Sequence, residues 1–300
     1  MLSEANFTSQ APLEVSLNGY AMTLPSRHPL LAFLNPKSPG FQPYRETGLV
    51  KVAQALQALG RTGTAIDVGA NVGDSCSLIH RHSSLRVLCI EASDFFFPYL
   101  TRNIARSFAD RATARHAYVV GSSGERPKGL FHWGGTAKAV DQPFGETSEV
   151  LAVPDLIGSA GEVALFKVDI DGFDLGVVAA AIACAREKRH PFPIFFELEF
   201  TGTTLEDVRS FCADALEFFR QAADAGYFHS FWWDDPGRFF GLIDLRQPQG
   251  VINAVNYMGH FRHRTIWGFD ICLVHGDDEA LFAELSSGVS RDSVLPVGAT

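Results

Sequence analysis

An α/β fold, a mostly parallel sheet with helices on both faces, is predicted for this 300-residue chain by three observations. Short apolar runs alternate with amphipathic stretches from about residue 46 onward, the pattern of strands joined by crossover helices. The first apolar run, Thr64-Ala65-Ile66-Asp67-Val68, leads directly into the glycine turn Gly69-Ala70-Asn71-Val72-Gly73. A helix then opens at Asp74, and strand, turn and helix in this order hold a ligand over backbone amides.

Residues 1–45 carry Pro25, Pro29, Pro36, Pro39 and Pro43, which break any long helix, and read as an irregular arm or cap. The main domain is expected over 46–280, with 281–300 as a tail. Leu49, Val52, Ala53, Leu56 and Leu59 recur at helical spacing and Gly60 suits a C-cap, so a helix delivers the chain to the first strand. That strand, near Ala65–Val68, is followed by a helix near Asp74–Arg81, a strand near Val87–Ile90, a helix near Asp94–Phe108 and a strand at Ala117–Val120. A long loop with a hairpin through His132 and Trp133 separates these from a strand at Val163–Val168 and a helix from Phe173 to about Ala185. The remainder reads as a strand at Ile194–Leu198, a helix near Leu205–Ala225, and β-like runs at His229–Trp233, Phe239–Leu245 and Phe269–Val274. The segments Gly121–Gly145 and Gln247–Trp267 are long for connections and are expected to shape substrate access or oligomer contacts.

Composition removes several classes of function. A formal charge of −9 opposes non-specific nucleic-acid binding, which needs a basic surface. The longest apolar run, Val177–Ala185, is too short to span a bilayer, and the N-terminus lacks the basic-then-apolar order of a targeting signal. Five scattered cysteines without a C-x-x-C pair signal neither a disulfide framework nor a zinc site, and a reducing cytoplasm fits them.

The turn does not suit a dinucleotide. In register with Gly69, the G-x-G-x-x-G fingerprint meets Asn71 at its second glycine and Asp74 at its third. Asp74 would repel a pyrophosphate at the helix start, whereas an ammonium and a sulfonium would be drawn to Asp67 and Asp74. Glu91 ends the second strand about twenty residues beyond the turn, where a carboxylate binds ribose hydroxyls. Ribose and positive charge without pyrophosphate describe S-adenosylmethionine.

In these features the chain resembles the FkbM-type S-adenosylmethionine-dependent methyltransferases, of the Rossmann-like class I type. Asp67-Val68-Gly69-Ala70-Asn71-Val72-Gly73 is similar to that family's first motif and Ile90-Glu91 to its second. Phe166-Lys167-Val168-Asp169-Ile170-Asp171-Gly172-Phe173-Asp174 is similar to the block written K-x-D-x-x-G-x-E, with Asp174 where Glu is more frequent. Ala92-Ser93 follow Glu91 where a proline is common. The resemblance spans roughly Glu46 to His275 and takes in Gly226-Tyr227 and Phe269–Val274. It implies O-methylation of a sugar, glycan or secondary metabolite. The cofactor contacts implied are Asp67, Gly69, Asn71, Gly73, Asp74, Glu91, Ala92, Ser122 and Asp169. Gly69→Val or Glu91→Ala is expected to weaken or abolish cofactor binding with the fold largely intact.

An alcohol acceptor must lose its proton as the new bond forms, so a base is sought at the strand ends. Asp169 is the first choice, Glu197 the second, and His132, beside Phe131 and Trp133, the third. Asp169 and Asp171 at one strand end, and Glu197 and Glu199 at the next, can face one crevice by period-two geometry. Such a set raises one partner's pKa for base work or holds a divalent ion through Asp169, Asp171 and Glu197; alternatively Asp169 contacts the cofactor and Glu199 is solvated. No metal is predicted. His229 is another possible base, but its aromatic neighbours equally fit a core; the His80/His82 and His260/His263 pairs fit surface positions. A nicotinamide-dependent oxidoreductase and a non-catalytic cofactor-binding module remain the competing readings.

Overall fold

The computed structural model describes residues 11–42, 45–123, 128–133, 135–140, 142–143, 145–170, 174–199, 205–234, 236–261 and 268–292. Within them the α/β prediction holds. The elements are β1 (Leu13–Leu17), β2 (Tyr20–Leu24), α1 (Leu30–Phe33), α2 (Thr47–Ala58), β3 (Thr64–Val68), α3 (Asp74–His82), β4 (Arg86–Glu91) and α4 (Phe97–Ser107). Next come β5 (Ala112–Val120), β6 (Gly129–Trp133), β7 (Thr136–Val140), β8 (Glu149–Ala152), α5 (Val153–Ser159), β9 (Val163–Val168) and α6 (Asp174–Lys188). The chain continues through β10 (Ile194–Glu199), α7 (Leu205–Asp224), β11 (Tyr227–Asp234), β12 (Phe239–Asp244), α8 (Pro248–Phe261), β13 (Gly268–His275) and α9 (Glu279–Asp292).

Nine strands form one sheet in the order β12-β11-β13-β10-β9-β3-β4-β5-β8. From β10 to β8 neighbouring strands run parallel, while β13, β11 and β12 add an antiparallel edge. β3 and β9 are buried along their whole length, which is why both read as apolar runs rather than alternating ones. Each face carries its own core. One cluster joins Phe166, Phe196, Trp232 and Phe269 to α6, α7 and α8; the other joins Leu49, Ile79, Phe96, Phe195 and Trp233 to the arm, α2, α3, α4 and α9. In α2 the stripe Leu49, Val52 and Leu56 is fully covered, each side chain contributing about 1.5–3 kcal/mol of transfer free energy.

Three stretches are more regular than the sequence reading expects. The described part of the arm holds the β1–β2 hairpin, whose turn residues Asn18 (φ 53) and Gly19 (φ 87) take the left-handed conformations of a two-residue hairpin turn. The Asn-Gly pair between two alternating runs was a sufficient signal, outweighed by the downstream prolines. The hairpin is docked: Thr23 N–H donates to Asn103 Oδ1 at 2.7 Å, and Asn103 Nδ2 donates back to the Thr23 carbonyl at 3.0 Å. Tyr20 hydroxyl meets Nδ1 of His80 at 2.9 Å, so His80 is a buried strut rather than a surface residue. The Gln247–Trp267 segment holds α8, with Val251, Ala254 and Val255 buried at helical spacing. Past 281, α9 seats Leu281, Leu285 and Val289 on the core. Among the described residues no helix is long and apolar enough to cross a membrane.

Candidate active site

Beyond β3 the strand order runs one way through β4, β5 and β8, and beyond β9 it runs the other way through β10. A crevice opens outside the carboxyl ends of two such strands. Asp67 pairs in register with Lys167 and Val68 with Val168, and Asp169 N–H donates to the Val68 carbonyl at 3.0 Å. The turn leaves β3 close against this strand end. Gly69 has φ 77, and a Cβ there would overlap the Asp169 carbonyl oxygen. Only glycine fits, so Gly69→Val must disturb the central strands themselves, contrary to the expectation of an intact fold.

Glu91 at the end of β4 is 6% exposed. One carboxylate oxygen accepts the Asn71 N–H at 2.7 Å and the other the Ser93 N–H at 2.8 Å. Burial pushes its pKa up to about 7 against these amide donors. Asn71 is itself left-handed (φ 48), and its side chain reaches outward. Nδ2 donates to the Gly135 carbonyl in the β6–β7 turn at 2.8 Å, and Oδ1 meets His28 Nε2 of the arm at 3.2 Å. Gly135 (φ 98) lies so close to Pro29 that a Cβ would collide with its ring. Arm and hairpin therefore meet above the turn.

Behind the turn, Lys167 is a charge in an otherwise apolar central strand. Its Nζ lies 3.0 Å from Asp67 Oδ1 and 3.4 Å from Asp169 Oδ2, with almost no exposure. Burial opposes its charge, but Asp67, Asp169 and Glu46 outweigh burial and raise its pKa well above the usual lysine value. Ser75 hydroxyl donates to the other Asp67 oxygen at 2.6 Å. Asp67 is thus consumed within the protein and is not presented to a cofactor.

Two cavities meet here. The smaller, about 60 Å³, is lined by Glu91 and Ala92 with apolar walls from Val68, Ile90, Leu130 and Ile170. The larger, about 320 Å³, holds Asp74, Glu197, Glu199, Asp270 and Lys167 on one side and Pro29, Leu30, Phe33 and Arg45 of the arm on another. Gly69, Asn71, Thr136 and Asp169 border both.

Of the residues expected at the site, Gly69, Asn71, Asp74, Glu91, Ala92, Asp169 and Glu197 line these cavities. The others stand elsewhere. His132 lies on neither wall: its Nε2 is 2.6 Å from the Ser93 hydroxyl and its ring packs beside Phe95 and Phe96, so it fastens the hairpin instead of facing an acceptor. Ser122 is exposed and off both walls. Gly73 (φ 92) starts α3, where a Cβ would press on Leu100, and is a packing position. Asp171, one of the three possible metal ligands, lies outside the described residues, as do Arg262 and His263. Among the described residues no group of three His, Cys, Asp or Glu is placed to hold a metal ion. Glu199 stands with Asp169 and Glu197 in the larger cavity, the crevice reading rather than the solvated alternative, and pairs with Lys138 at 3.2 Å. His229 stacks on Phe282 with ring centres 4.0 Å apart, away from the crevice.

His28, Arg45, Lys138 and Gly135 were missed from sequence, since each reaches the site from an element distant in the chain. Burial lowers the pKa of His28, with Asp74 opposing, so its ring stays neutral while it contacts Asn71. Lys167 was findable as the charged residue of a buried strand.

No family model matches the sequence, and no curated protein does either. Solved structures similar to it include a SAM-dependent methyltransferase from Geobacter sulfurreducens in complex with S-adenosyl-L-homocysteine, at 14% identity and TM-score 0.41 over 82% of this chain and 97% of that one. A geranyl diphosphate methyltransferase in complex with GPP and sinefungin is 13% identical, with TM-score 0.41 over 76% of this chain and 77% of the other. A putative rRNA-methylase from Clostridium thermocellum is 10% identical, with TM-score 0.42 over 77% and 96%. Likenesses this distant carry no functional argument, which has to come from the site.

Proposed function

We propose that this chain is a methyltransferase of the FkbM type, using S-adenosylmethionine to methylate a hydroxyl of a sugar, glycan or secondary metabolite. The observation that carries this reading is the pair of joined cavities at the switch between β3 and β9. One has a buried carboxylate, Glu91, among apolar walls; the other is bordered by Asp74 and Asp169.

The donor set fits the cofactor. A carboxylate offers about four lone-pair positions, so Glu91 retains acceptors for ribose hydroxyls after taking the Asn71 and Ser93 amides. The apolar walls suit a planar base, and Asp74 and Asp169 suit cationic groups. When bound, S-adenosylmethionine supplies a methyl on a sulfonium, which an acceptor oxygen attacks in line. Asp169 borders both cavities and is our candidate for taking the acceptor's proton, with Glu197 as the alternative. Lys167 orients that carboxylate through Oδ2.

The larger cavity reaches the ~300 Å³ at which small-molecule sites begin, whereas the smaller falls short. Leu130, Thr136 and Ala137 of the β6–β7 hairpin narrow it, so the hairpin has to lift for a nucleoside to enter. The hairpin pairs only with itself among the described strands. A cytoplasmic location is proposed on the free, scattered cysteines.

The test is thermal unfolding with S-adenosylmethionine, S-adenosylhomocysteine and NAD in separate samples, since a ligand of the native state raises the midpoint. Stabilisation by the first two supports the reading; stabilisation by NAD alone sinks it. A methyl-labelled donor offered with hydroxylated acceptors then tests transfer.

A further inference from the structure

The residues assigned so far to the cofactor, Glu91, Asp74 and Asp169, are all carboxylates. An α-amino acid is a zwitterion: Asp74 and Asp169 suit its ammonium, but its own carboxylate needs a cation. Among the described residues the larger cavity is lined by two side chains with a permanent positive charge, Lys167 and Arg45. Lys167 is engaged by Asp67 and Asp169. We infer that Arg45, from the N-terminal arm, binds the cofactor's α-carboxylate. This rests on the S-adenosylmethionine reading above and adds a residue that the glycine turn alone does not supply.

The geometry of Arg45 supports the assignment in three ways. Its guanidinium carbon lies 5.0 Å from the centre of the Phe33 ring, which holds the group at the cavity wall. One terminal nitrogen is 3.3 Å from Glu46 Oε1, while Nε is buried and takes no hydrogen-bond partner among the described residues. A guanidinium paired at one terminal nitrogen still has donors left, and an arginine fork grips a carboxylate through two bonds. Arg45 shares its cavity with Glu46, Asp74, Asp169 and Asp270, all within Coulombic reach, so the positive and negative halves of a zwitterion subsite are neighbours.

Glu46 adds to this. It is a non-glycine residue with φ 60 at the start of α2, a conformation that L side chains rarely adopt, and it lines the same cavity. Strained backbone of this kind persists where surrounding structure fixes it and concentrates at ligand sites. Here it lies where Arg45 lines the cavity and α2 begins its run into the core.

The experiment is titration calorimetry of the full chain, as parent, Arg45→Met and Arg45→Lys, with S-adenosylmethionine and with decarboxylated S-adenosylmethionine. The second ligand keeps the adenosine, sulfonium and ammonium and lacks only the carboxylate. Arg45→Met is expected to weaken S-adenosylmethionine about 10- to 100-fold and to leave the decarboxylated ligand within about 3-fold of the parent, with Arg45→Lys between. Retained binding of the decarboxylated ligand also shows that the variants are folded. Equal weakening of both ligands, or of neither, overturns the assignment. Failure of the parent to bind either ligand overturns the cofactor reading and the role of Arg45 with it, a result distinct from the first two.

Discussion

The two halves of the candidate site are built differently. The lower half comprises β3, β4, β9 and the turn between β3 and α3, where Gly69, Glu91, Asp169 and Lys167 are held by ladder hydrogen bonds and buried charge pairs. The upper half is the arm and the β6–β7 hairpin, which meet the lower half through single side-chain contacts. His28 and Gly135 both converge on Asn71, and Lys138 pairs with Glu199. A half fixed by the sheet can pre-organise a cofactor. One that meets the sheet through side-chain contacts rather than a ladder of backbone hydrogen bonds can open to admit it.

If that contrast is right, substitutions below should damage fold and binding together, and substitutions above should loosen closure alone. The largest effect is expected from Gly69→Val. A side chain meeting the Asp169 backbone and confined to φ 77 should cost about 3–5 kcal/mol, read as a drop in the urea midpoint. An unchanged midpoint would break the comparison at its strongest point.

Lys167→Met comes next. It strands Asp67 as an unpaired buried charge and should cost about 3–5 kcal/mol, much of it recovered when Asp67→Asn is added. Strictly additive losses in the double variant would show that the two charges are not coupled.

A third effect depends on pH. The carboxyl of Glu91 is raised from 4.5 to about 7 by burial, with the amides of Ser93, Asn71 and Ala92 opposing. Because the folded value lies above the unfolded one, its contribution is full below pH 4.5 and is lost as pH rises through 7. The parent should therefore lose about 3 kcal/mol relative to Glu91→Gln over that window. Parallel stability profiles for parent and variant would contradict the burial account.

The smallest effect belongs to the upper half. Asn71→Ala removes two side-chain contacts and should cost about 1–2 kcal/mol. Amide exchange should accelerate in 129–140 and 28–33 while β3 and β9 stay protected. Uniform acceleration across the sheet would mean that Asn71 supports the fold rather than the closure.

The same division marks what the sequence could disclose. The lower half is local: one strand, one turn and a carboxylate about twenty residues on, each readable because spacing and side-chain type follow from the βαβ unit. Gly69, Asn71 and Glu91 were found that way, and Asp169 from the resemblance of the block at its own strand end. The upper half arises from contacts across 43 and 64 residues, from Asn71 to His28 and to Gly135, and no local pattern encodes them. His132 was misjudged for the same reason. An aromatic-flanked histidine looks the same in sequence whether its ring faces a cavity or, as here, the Ser93 hydroxyl. Asp67 shows a subtler limit, since its carboxylate sits at the expected strand end but is taken by Ser75 and Lys167. α8 and the Asn18-Gly19 hairpin were legible in principle and were obscured by nearby glycines and prolines.

The central claim is that Glu91 and the Gly69–Asn71 turn receive the nucleoside of S-adenosylmethionine. Calorimetric titration of S-adenosylhomocysteine into the parent and into Glu91→Gln tests it most directly. Saturable one-site binding to the parent, weakened about 10- to 100-fold in the variant, is the predicted result. No binding to the parent, or equal affinity for both proteins, would contradict it.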